Sequence, residues 1–450
     1  MRIAPTQPLF AWDALEDSPT LSTLRRFLRL LPDGKLLAAL RRWRGHGRND
    51  YRVTSAWGVL LLTILLRHPS IEACLADLRR NEALRRLIGI ESEAKVPNDY
   101  NMSRFLTVLG SEPHRSLLKE VFEQMTRRMA GAVKGLGAET AGDSTGLSAR
   151  PGPGQETDGL PLPSGGRKEY IDEGGAITKV LEWFGYKRHL LVDKRHEVAL
   201  AYEVTAPSVS DAQMIPQLLD GAARALPKGR IKTMAYDKAA DDEKTHAELH
   251  ERGIKPLIEN RALWKGESER MLPGHDGRSN VVYDEAGTVH CYDTVSDPPV
   301  RHPMSYAGHE PSRGTLKYRC PARAQGWTCP MSKRCNEGRK YGKTVRVRQQ
   351  IDLRRFPPIP GATREFERLY QGRTSVERVN ARLKVFWGAD DGNIKGARRF
   401  YAYAGAVMVV HAGLATLLAS TPRKEGPLGQ MRLSPIAKAL IETMAGPSGG

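Results

Sequence analysis

The sequence predicts an α/β protein with an all-helical N-terminal region and a cysteine-containing insertion. Three observations carry this prediction. Residues 20–130 repeat apolar side chains at spacings of three and four, which is typical of amphipathic helices. Residues 182–260 alternate short apolar strands with helices, the pattern of an α/β layer. Residues 262–360 fit neither pattern and hold four of the five cysteines.

The N-terminal region divides into several helices. The first is marked by apolar residues three and four positions apart: Leu21, Leu24, Phe27, Leu28 and Leu31. Pro32 and Gly34 end it, and a second helix starts near Leu36 and closes in a basic run. An apolar helix is expected at 54–67. Ser70 can cap one further helix, and one or two more are expected between positions 102 and 129.

The α/β layer begins with a short β-prone segment at 138–149, followed by a Pro/Gly-rich stretch at 151–166 that predicts a flexible loop. Strands and helices then follow in alternation. The expected strands are 182–193, 196–205, 231–237 and 254–260, and the expected helices are 211–225 and 241–252. Helical character returns at 363–387 and 397–419.

These patterns predict five regions. They are a helical domain at 1–130, a first part of the α/β core at 131–261, a basic cysteine-containing insertion at 262–360, a last part of the core at 361–420, and a loose tail at 421–450. At about 100–200 residues per domain, a chain of 450 residues has room for this division.

Positive charge is concentrated in one part of the chain. The whole sequence carries a formal charge of +18, and residues 311–400 hold 22 Lys and Arg against 7 Asp and Glu, a net of +15. Such a concentration of positive charge favours a polyanionic partner, and nucleic acid is the first candidate. The alternative is a solvated basic surface without a partner. We expect this segment to be the main non-specific DNA contact, with Arg346, Arg348, Arg354 and Arg355 contributing affinity.

The sequence also favours a cytoplasmic protein without a membrane anchor. Five cysteines in 450 residues exclude a disulfide scaffold, and the N-terminus lacks the pattern of a secretion signal. The longest apolar runs, 57–66 and 401–410, have about ten residues, which is too short to span a bilayer.

Three carboxylates stand where they can converge on one edge of the sheet. Asp143 and Asp237 follow strand segments, and Glu377 lies on a later helix. Carboxylates arranged in this way hold divalent cations and drive in-line phosphoryl chemistry, in which two metal ions stand roughly 3.5–4 Å apart. For a single Asp at a strand end, the alternative is a turn or a helix cap. Asp241 is a further candidate acid that could instead cap the following helix.

The third carboxylate belongs to a pattern Y-x2-R-x3-E-x6-K formed by Tyr370, Arg373, Glu377 and Lys384. Offsets of four and seven place its last three members on one helical stripe, so that an acid is flanked by two bases. Such a stripe suits a metal-ligand carboxylate with cations gripping the adjacent phosphates. A capping box formed by Thr374 and Glu377 is the alternative.

With this signature behind two strand-end aspartates, the chain resembles the DDE transposases of bacterial insertion sequences that have an RNase H-like catalytic core. The segment 236–261 resembles the second-aspartate block of that family, 183–193 its second strand, and 55–109 its N-terminal domain. The resemblance covers roughly residues 20–420. The chain departs from the family at Ala239 and Ala240, where Gly-Tyr is usual, and in the long loop at 151–166.

The resemblance implies an RNase H-like mixed sheet and a Mg2+-dependent (or Mn2+-dependent) enzyme. Asp143, Asp237 and Glu377 would bind two metal ions, while Tyr370, Arg373 and Lys384 would position the DNA backbone. The enzyme would nick double-stranded DNA at terminal inverted repeats and transfer the 3′ hydroxyl to target DNA. Synapsis of two ends implies a homodimer, in a bacterial cytoplasm at the nucleoid. The alternatives are a catalytically silent DNA-binding repressor and a nuclease without strand transfer.

The insertion contains a possible zinc site. Four thiolates can close a tetrahedral Zn2+ site, and the four candidates are Cys291, Cys320, Cys329 and Cys335. Their spacing is irregular and no CxxC pair is present. Free thiols in a reducing compartment are the alternative.

Overall fold

The structure, a computed structural model, describes residues 19–46, 50–150, 158–171, 176–261, 263–266, 268–273, 280–340, 342–391, 394–421 and 428. Nearly all of the predicted tail and the first part of the predicted loop at 151–166 lie outside the described residues.

Seven helices form the described part of the N-terminal region. They are α1 (Pro19–Leu30), α2 (Gly34–Arg44), α3 (Val53–Leu65), α4 (Ile71–Arg80), α5 (Glu82–Leu87), α6 (Asp99–Leu109) and α7 (His114–Ala132). The cap predicted at Ser70 is confirmed, because its side chain accepts a hydrogen bond from the backbone N–H of Ala73 at 3.1 Å. One predicted helix is divided in two at Asn81, whose extended backbone ends α4 while its side chain caps α5.

A six-stranded mixed sheet forms the centre of the molecule. Its strands are β1 (Glu139–Ser148), β2 (Ser164–Ile171), β3 (Ile177–Asp193), β4 (Val198–Thr205), β5 (Thr233–Tyr236) and β6 (Lys255–Ile258), with α8 (Asp211–Ala225) and α9 (Glu243–Glu251) between them. The order is β2-β3-β1-β5-β6, and β4 pairs with β3. The pairs β1–β5 and β5–β6 are parallel, and the other pairs are antiparallel. The predicted α/β layer is confirmed, with an arrangement that fits an RNase H-like core.

The sheet extends further than the sequence pattern predicted. β3 begins at Ile177 rather than near position 182, and its first half pairs with β2 in a two-stranded ribbon. The predicted loop at 151–166 therefore ends in a strand. Residues 177–182 are all exposed, so this half of β3 lacks the buried face whose apolar alternation signals a strand.

The insertion folds into two small antiparallel sheets. The first contains β7 (Glu269–Met271), β8 (Val281–Asp284), β9 (Val289–Asp293) and β10 (Val300–Pro303), and the second contains β11 (Ser305–Glu310), β12 (Thr315–Arg319) and β13 (Thr344–Arg348). Two short helices, α10 (Pro321–Gln325) and α11 (Ser332–Asn336), lie between β12 and β13. The insertion has its own hydrophobic core, which includes Leu316 and Phe356.

The chain then returns to the main body. α12 (Arg364–Tyr370) passes through a single 3-10 turn into α13 (Ser375–Val385), and α14 (Ala397–Ala419) follows. α14 packs against α7, α6, α3 and β4, so one hydrophobic core joins the N-terminal helices to the sheet.

α14 was not expected to be long enough to cross a bilayer. Within the described residues, it is the one helix that is both long and apolar enough to do so, at 23 residues. However, 83% of its most apolar window is buried inside the protein, as in the core helix of a globular fold. Its apolar composition is therefore explained by packing.

Candidate active site

Asp143 and Asp237 lie side by side on neighbouring parallel strands. The β1–β5 register pairs Ala141 with Ala235, and continuing it by two residues sets Asp143 opposite Asp237. Asp237 follows the last residue of β5 and accepts a hydrogen bond from the backbone N–H of Ala239 at 3.0 Å. Asp143 and Asp237, which the sequence predicts as metal ligands, thus lie next to each other on the sheet.

Asp143 lies in a strongly acidic environment. It is only 9% exposed, and burial raises the pKa of its carboxyl group to about 6. Lys168 opposes this shift, while the carboxylates of Asp211 and Asp237 reinforce it. The site therefore carries an excess of negative charge that a bound cation would relieve.

Glu377 lies on the signature helix and faces an arginine. Arg373 Nη1 is 3.1 Å from Glu377 Oε1, and the Glu377 side chain is 51% exposed. The capping-box alternative is wrong, because Thr374 has helical backbone angles and its side chain forms no capping hydrogen bond. The helical path instead continues through the 3-10 turn, which leaves Glu377 available for other contacts.

Arg373 lies close enough to all three acids to interact with them electrostatically. Its pKa lies above the ordinary value of arginine although burial opposes the shift; the groups that raise it are Tyr370, Glu377, Asp143 and Asp237. Within the described part of the chain, no three His, Cys, Asp or Glu side chains are close enough together to hold a metal ion. The structure therefore brings Asp143 and Asp237 together, while Glu377 is ion-paired with Arg373.

Sequence reasoning missed Glu259, a further acid at this edge. It follows β6 directly, and the β5–β6 register pairs Tyr236 with Ile258, so Glu259 stands beside Asp237. Burial raises the pKa of Tyr370 to about 12, and a hydrogen bond to Glu259 contributes to the shift. The signal was present in the sequence, because Glu259 ends a predicted strand just as Asp237 does.

Lys384, the last member of the signature, lies further along α13. Its ammonium group is 3.1 Å from Asp390, whose other carboxylate oxygen accepts a hydrogen bond from the backbone N–H of Ser148 at 2.6 Å. Lys384 therefore approaches the far end of β1 through Asp390.

The turn between β3 and β4 holds the signature helix in place. Glu197 in this turn is buried and forms ion pairs with Arg378, at 2.6 Å, and with Arg382. Lys194 donates a hydrogen bond to the carbonyl oxygen of Leu369 at 2.6 Å. Two helices of the signature are thus anchored to one turn of the sheet.

Asp241 has a structural role rather than the catalytic one considered for it. Its carboxylate is fully buried and accepts hydrogen bonds from Arg354, at 3.0 Å, and from the backbone N–H of Arg261, at 2.7 Å. Although burial opposes the change, its contacts to His246 and Arg354 hold the pKa of Asp241 well below its usual range. It ties the insertion to the core.

The expectation for the four arginines of the insertion is therefore wrong for two of them. Arg354 is 8% exposed and bound to Asp241, and Arg355 is 7% exposed and bound to Asp352. Arg346 and Arg348 alternate with buried valines on β13 and are exposed, although Arg346 pairs with Glu310. The exposed arginines thus lie on the outward-facing side of β13, whereas the buried ones follow the strand and form ion pairs inside the protein.

The four cysteines of the insertion lie within electrostatic reach of one another. Burial raises the pKa of Cys291 to about 11, and Cys320, Cys329 and Cys335 all reinforce the shift. They do not form a metal-binding group among the described residues. Zinc binding stays a prediction without structural support, and free thiols remain the alternative.

Comparison with known proteins identifies the family. Residues 140–412 match the family model described as Transposase DDE domain, and residues 12–107 match the one described as Transposase domain (DUF772). No curated protein shows a match. Among solved structures, the cryo-EM structure of the piggyBac transposase synaptic complex with hairpin DNA is similar at 10% identity and a TM-score of 0.34, covering 96% of this chain and 83% of that one. A TM-score this low adds nothing to the family match, which spans more than half of the chain. The chain belongs to the family of transposases with a DDE domain.

Proposed function

We propose that this transposase nicks DNA at the ends of its element and transfers the freed 3′ hydroxyl to target DNA, with Mg2+ or Mn2+ as cofactor. The observation that carries the proposal is the juxtaposition of Asp143 and Asp237 on neighbouring strands, with the Arg373–Glu377 ion pair close enough for Arg373 to interact electrostatically with both aspartates. Two copies of the chain would hold the two ends together, at the bacterial nucleoid.

The residues present fit divalent cations. Asp143, Asp237 and Glu377 offer the hard oxygen ligands that Mg2+ prefers. Burial raises the pKa of Asp143, and the neighbouring carboxylates of Asp211 and Asp237 add to the shift. When bound, two such ions supply activation of the attacking oxygen and stabilisation of the leaving oxygen. Glu377 would join the two aspartates after giving up its ion pair with Arg373.

The bases of the signature would then act on the DNA. Once released from Glu377, the Arg373 guanidinium can hold a backbone phosphate through paired N–H donors. Tyr370 borders the same site, and Lys384 can exchange Asp390 for a phosphate further along the strand. The carboxylates would thus hold the metal ions at the reacting atoms, and the basic side chains would bind the DNA backbone.

The experiment is incubation of the full chain with terminal-repeat DNA and a target plasmid in Mg2+, scoring nicking and joining separately. We expect Asp143→Asn, Asp237→Asn and Glu377→Gln each to abolish cleavage and to leave DNA binding intact. Glu367→Gln, on the exposed face of α12, is the matched control for Glu377→Gln and should cleave normally.

Each other outcome has a distinct meaning. Near-normal cleavage by Glu377→Gln would remove the signature glutamate from the mechanism. Nicking without joining would make the protein a nuclease. Binding without nicking by the unaltered chain would favour a silent DNA-binding relative.

A further inference from the structure

A pocket in the N-terminal helices has no role in the chemistry proposed above. It lies between the end of α2 and the start of α6 and has a volume of about 430 Å3. This is within the range of about 300–1,000 Å3 that is usual for small-molecule sites. Its floor includes the buried side chains of Val53, Met102 and Phe105.

Two large aromatic side chains stand exposed at this pocket. Trp43 is 50% exposed and Tyr100 is 73% exposed, and both line the cavity. Exposed aromatic rings beside an apolar floor are suited to stacking on a flat ring. Because the floor below them is already packed, the exposed surface of the two side chains points to a ligand rather than to the core.

The charges at the pocket have one sign. Of the described residues that line it, those with charged side chains are Arg44 and Arg104. The Arg104 guanidinium lies 5.8 Å from the centre of the Trp43 ring. An adjacent amide side chain, Asn101, offers the donor and acceptor pair that can read the edge of a base. The pocket therefore suits a planar ring with hydrogen-bonding edges, attached to an anionic group.

We infer that this pocket holds one unstacked base of the bound DNA, with its phosphate beside Arg44 or Arg104. The inference rests on the proposed function only in taking DNA as the partner. Flipping a base out of a duplex has an energetic cost, which stacking against aromatic side chains offsets. The pocket contains none of the carboxylates of the active site, so it anchors the DNA and takes no part in cleavage.

Binding to two synthetic duplexes tests the inference. One carries a single bulged 2-aminopurine, and the other has the same 2-aminopurine paired. We expect the full chain to bind the bulged duplex roughly tenfold more tightly and to quench its fluorescence on stacking. Asp143→Asn protein without divalent cations is used, so the readout does not depend on cleavage.

Variants of the pocket separate stacking from general affinity. The double change Trp43→Ala and Tyr100→Ala should remove both the preference and the quenching while leaving affinity for the paired duplex unchanged. Trp327→Ala, which alters a partly exposed tryptophan in the insertion, is the matched control and should retain both. Tyr100→Phe keeps the ring and should also retain both.

Three results would overturn the inference. They are equal affinity of Asp143→Asn protein for the two duplexes, a preference that survives the double change, and a stronger preference for a bulged RNA duplex. If the unaltered chain failed to cleave terminal-repeat DNA in Mg2+ while the bulge preference was intact, the result would instead count against the proposed function alone.

Discussion

Asp143 carries a charge that the folded protein would be more stable without. Its carboxylate is buried beside Asp211 and Asp237, and its pKa rises to about 6 from an ordinary value of 3.8. The folded state therefore holds a proton between these pH values that the unfolded chain has released. Stability falls as the pH rises through this window and levels off above it.

Replacing Asp143 with Asn should therefore stabilise the metal-free protein at neutral pH. We expect Asp143→Asn to raise the free energy of unfolding by roughly 1–3 kcal/mol at pH 7, with no gain below pH 4. Urea unfolding in EDTA at both pH values measures this. Asp220→Asn, at an exposed position of α8, should change little, and a loss of stability in Asp143→Asn at pH 7 would contradict the expectation.

The electrostatic interaction between Tyr370 and Glu259 predicts that the two residues act as a unit. Glu259→Gln and Tyr370→Phe should each slow strand cleavage by about 2- to 30-fold, and the double variant should be no slower than the worse single one. Single-turnover cleavage rates complete this double-mutant cycle. Multiplying effects would show that the residues act independently, and Glu251→Gln, an exposed acid on α9, should have no effect.

At the scale of elements, the turn between β3 and β4 sets the position of the signature helix. Glu197→Gln should destabilise the protein by roughly 2–4 kcal/mol, because Arg382 would lose its partner in a nearly buried position. Glu182→Gln breaks only an exposed pair with Arg167 and should cost less than about 0.5 kcal/mol. Urea unfolding distinguishes the two, and equal small losses would show that the turn does not anchor α13.

The insertion offers a second contrast, between a buried arginine and an exposed one. Arg348→Gln should reduce the slope of log affinity against log salt by about 0.9, the effect of one lost phosphate contact, and should leave stability unchanged. Arg354→Met should leave the slope unchanged and destabilise the fold, because Asp241 would stay buried without its partner. The reverse pattern would show that Arg354 leaves Asp241 to reach the DNA.

For the molecule as a whole, periodicity and apolar runs predicted most of the elements of the main body, because these elements bury apolar side chains on one face or on both. The strands after position 182 and the long helix α14 are examples. The β2–β3 ribbon was missed because its side chains are exposed on both faces, which leaves no apolar alternation to detect.

The site was predictable where chemistry and chain order coincide, as for Asp237 at the end of β5. Asp143 was predicted at a strand end as well, but it lies within β1, which continues to Ser148. Which cations are exposed was not predictable from composition, since Arg354 and Arg348 differ only in the partner that the fold gives them. The aromatic pocket likewise depends on two segments, around Trp43 and Tyr100, that are distant in sequence.

The core shared by α14, the N-terminal helices and the sheet has a consequence for where the protein cuts the DNA. Because α14 packs on both α6 and β4, one hydrophobic core joins the helices that form the base pocket to the sheet that carries the paired aspartates. A base held at Trp43 would set how many base pairs lie between that anchor and the cut. The cleavage position would then be set by the distance between the base pocket and the active site as much as by the DNA sequence at the cut.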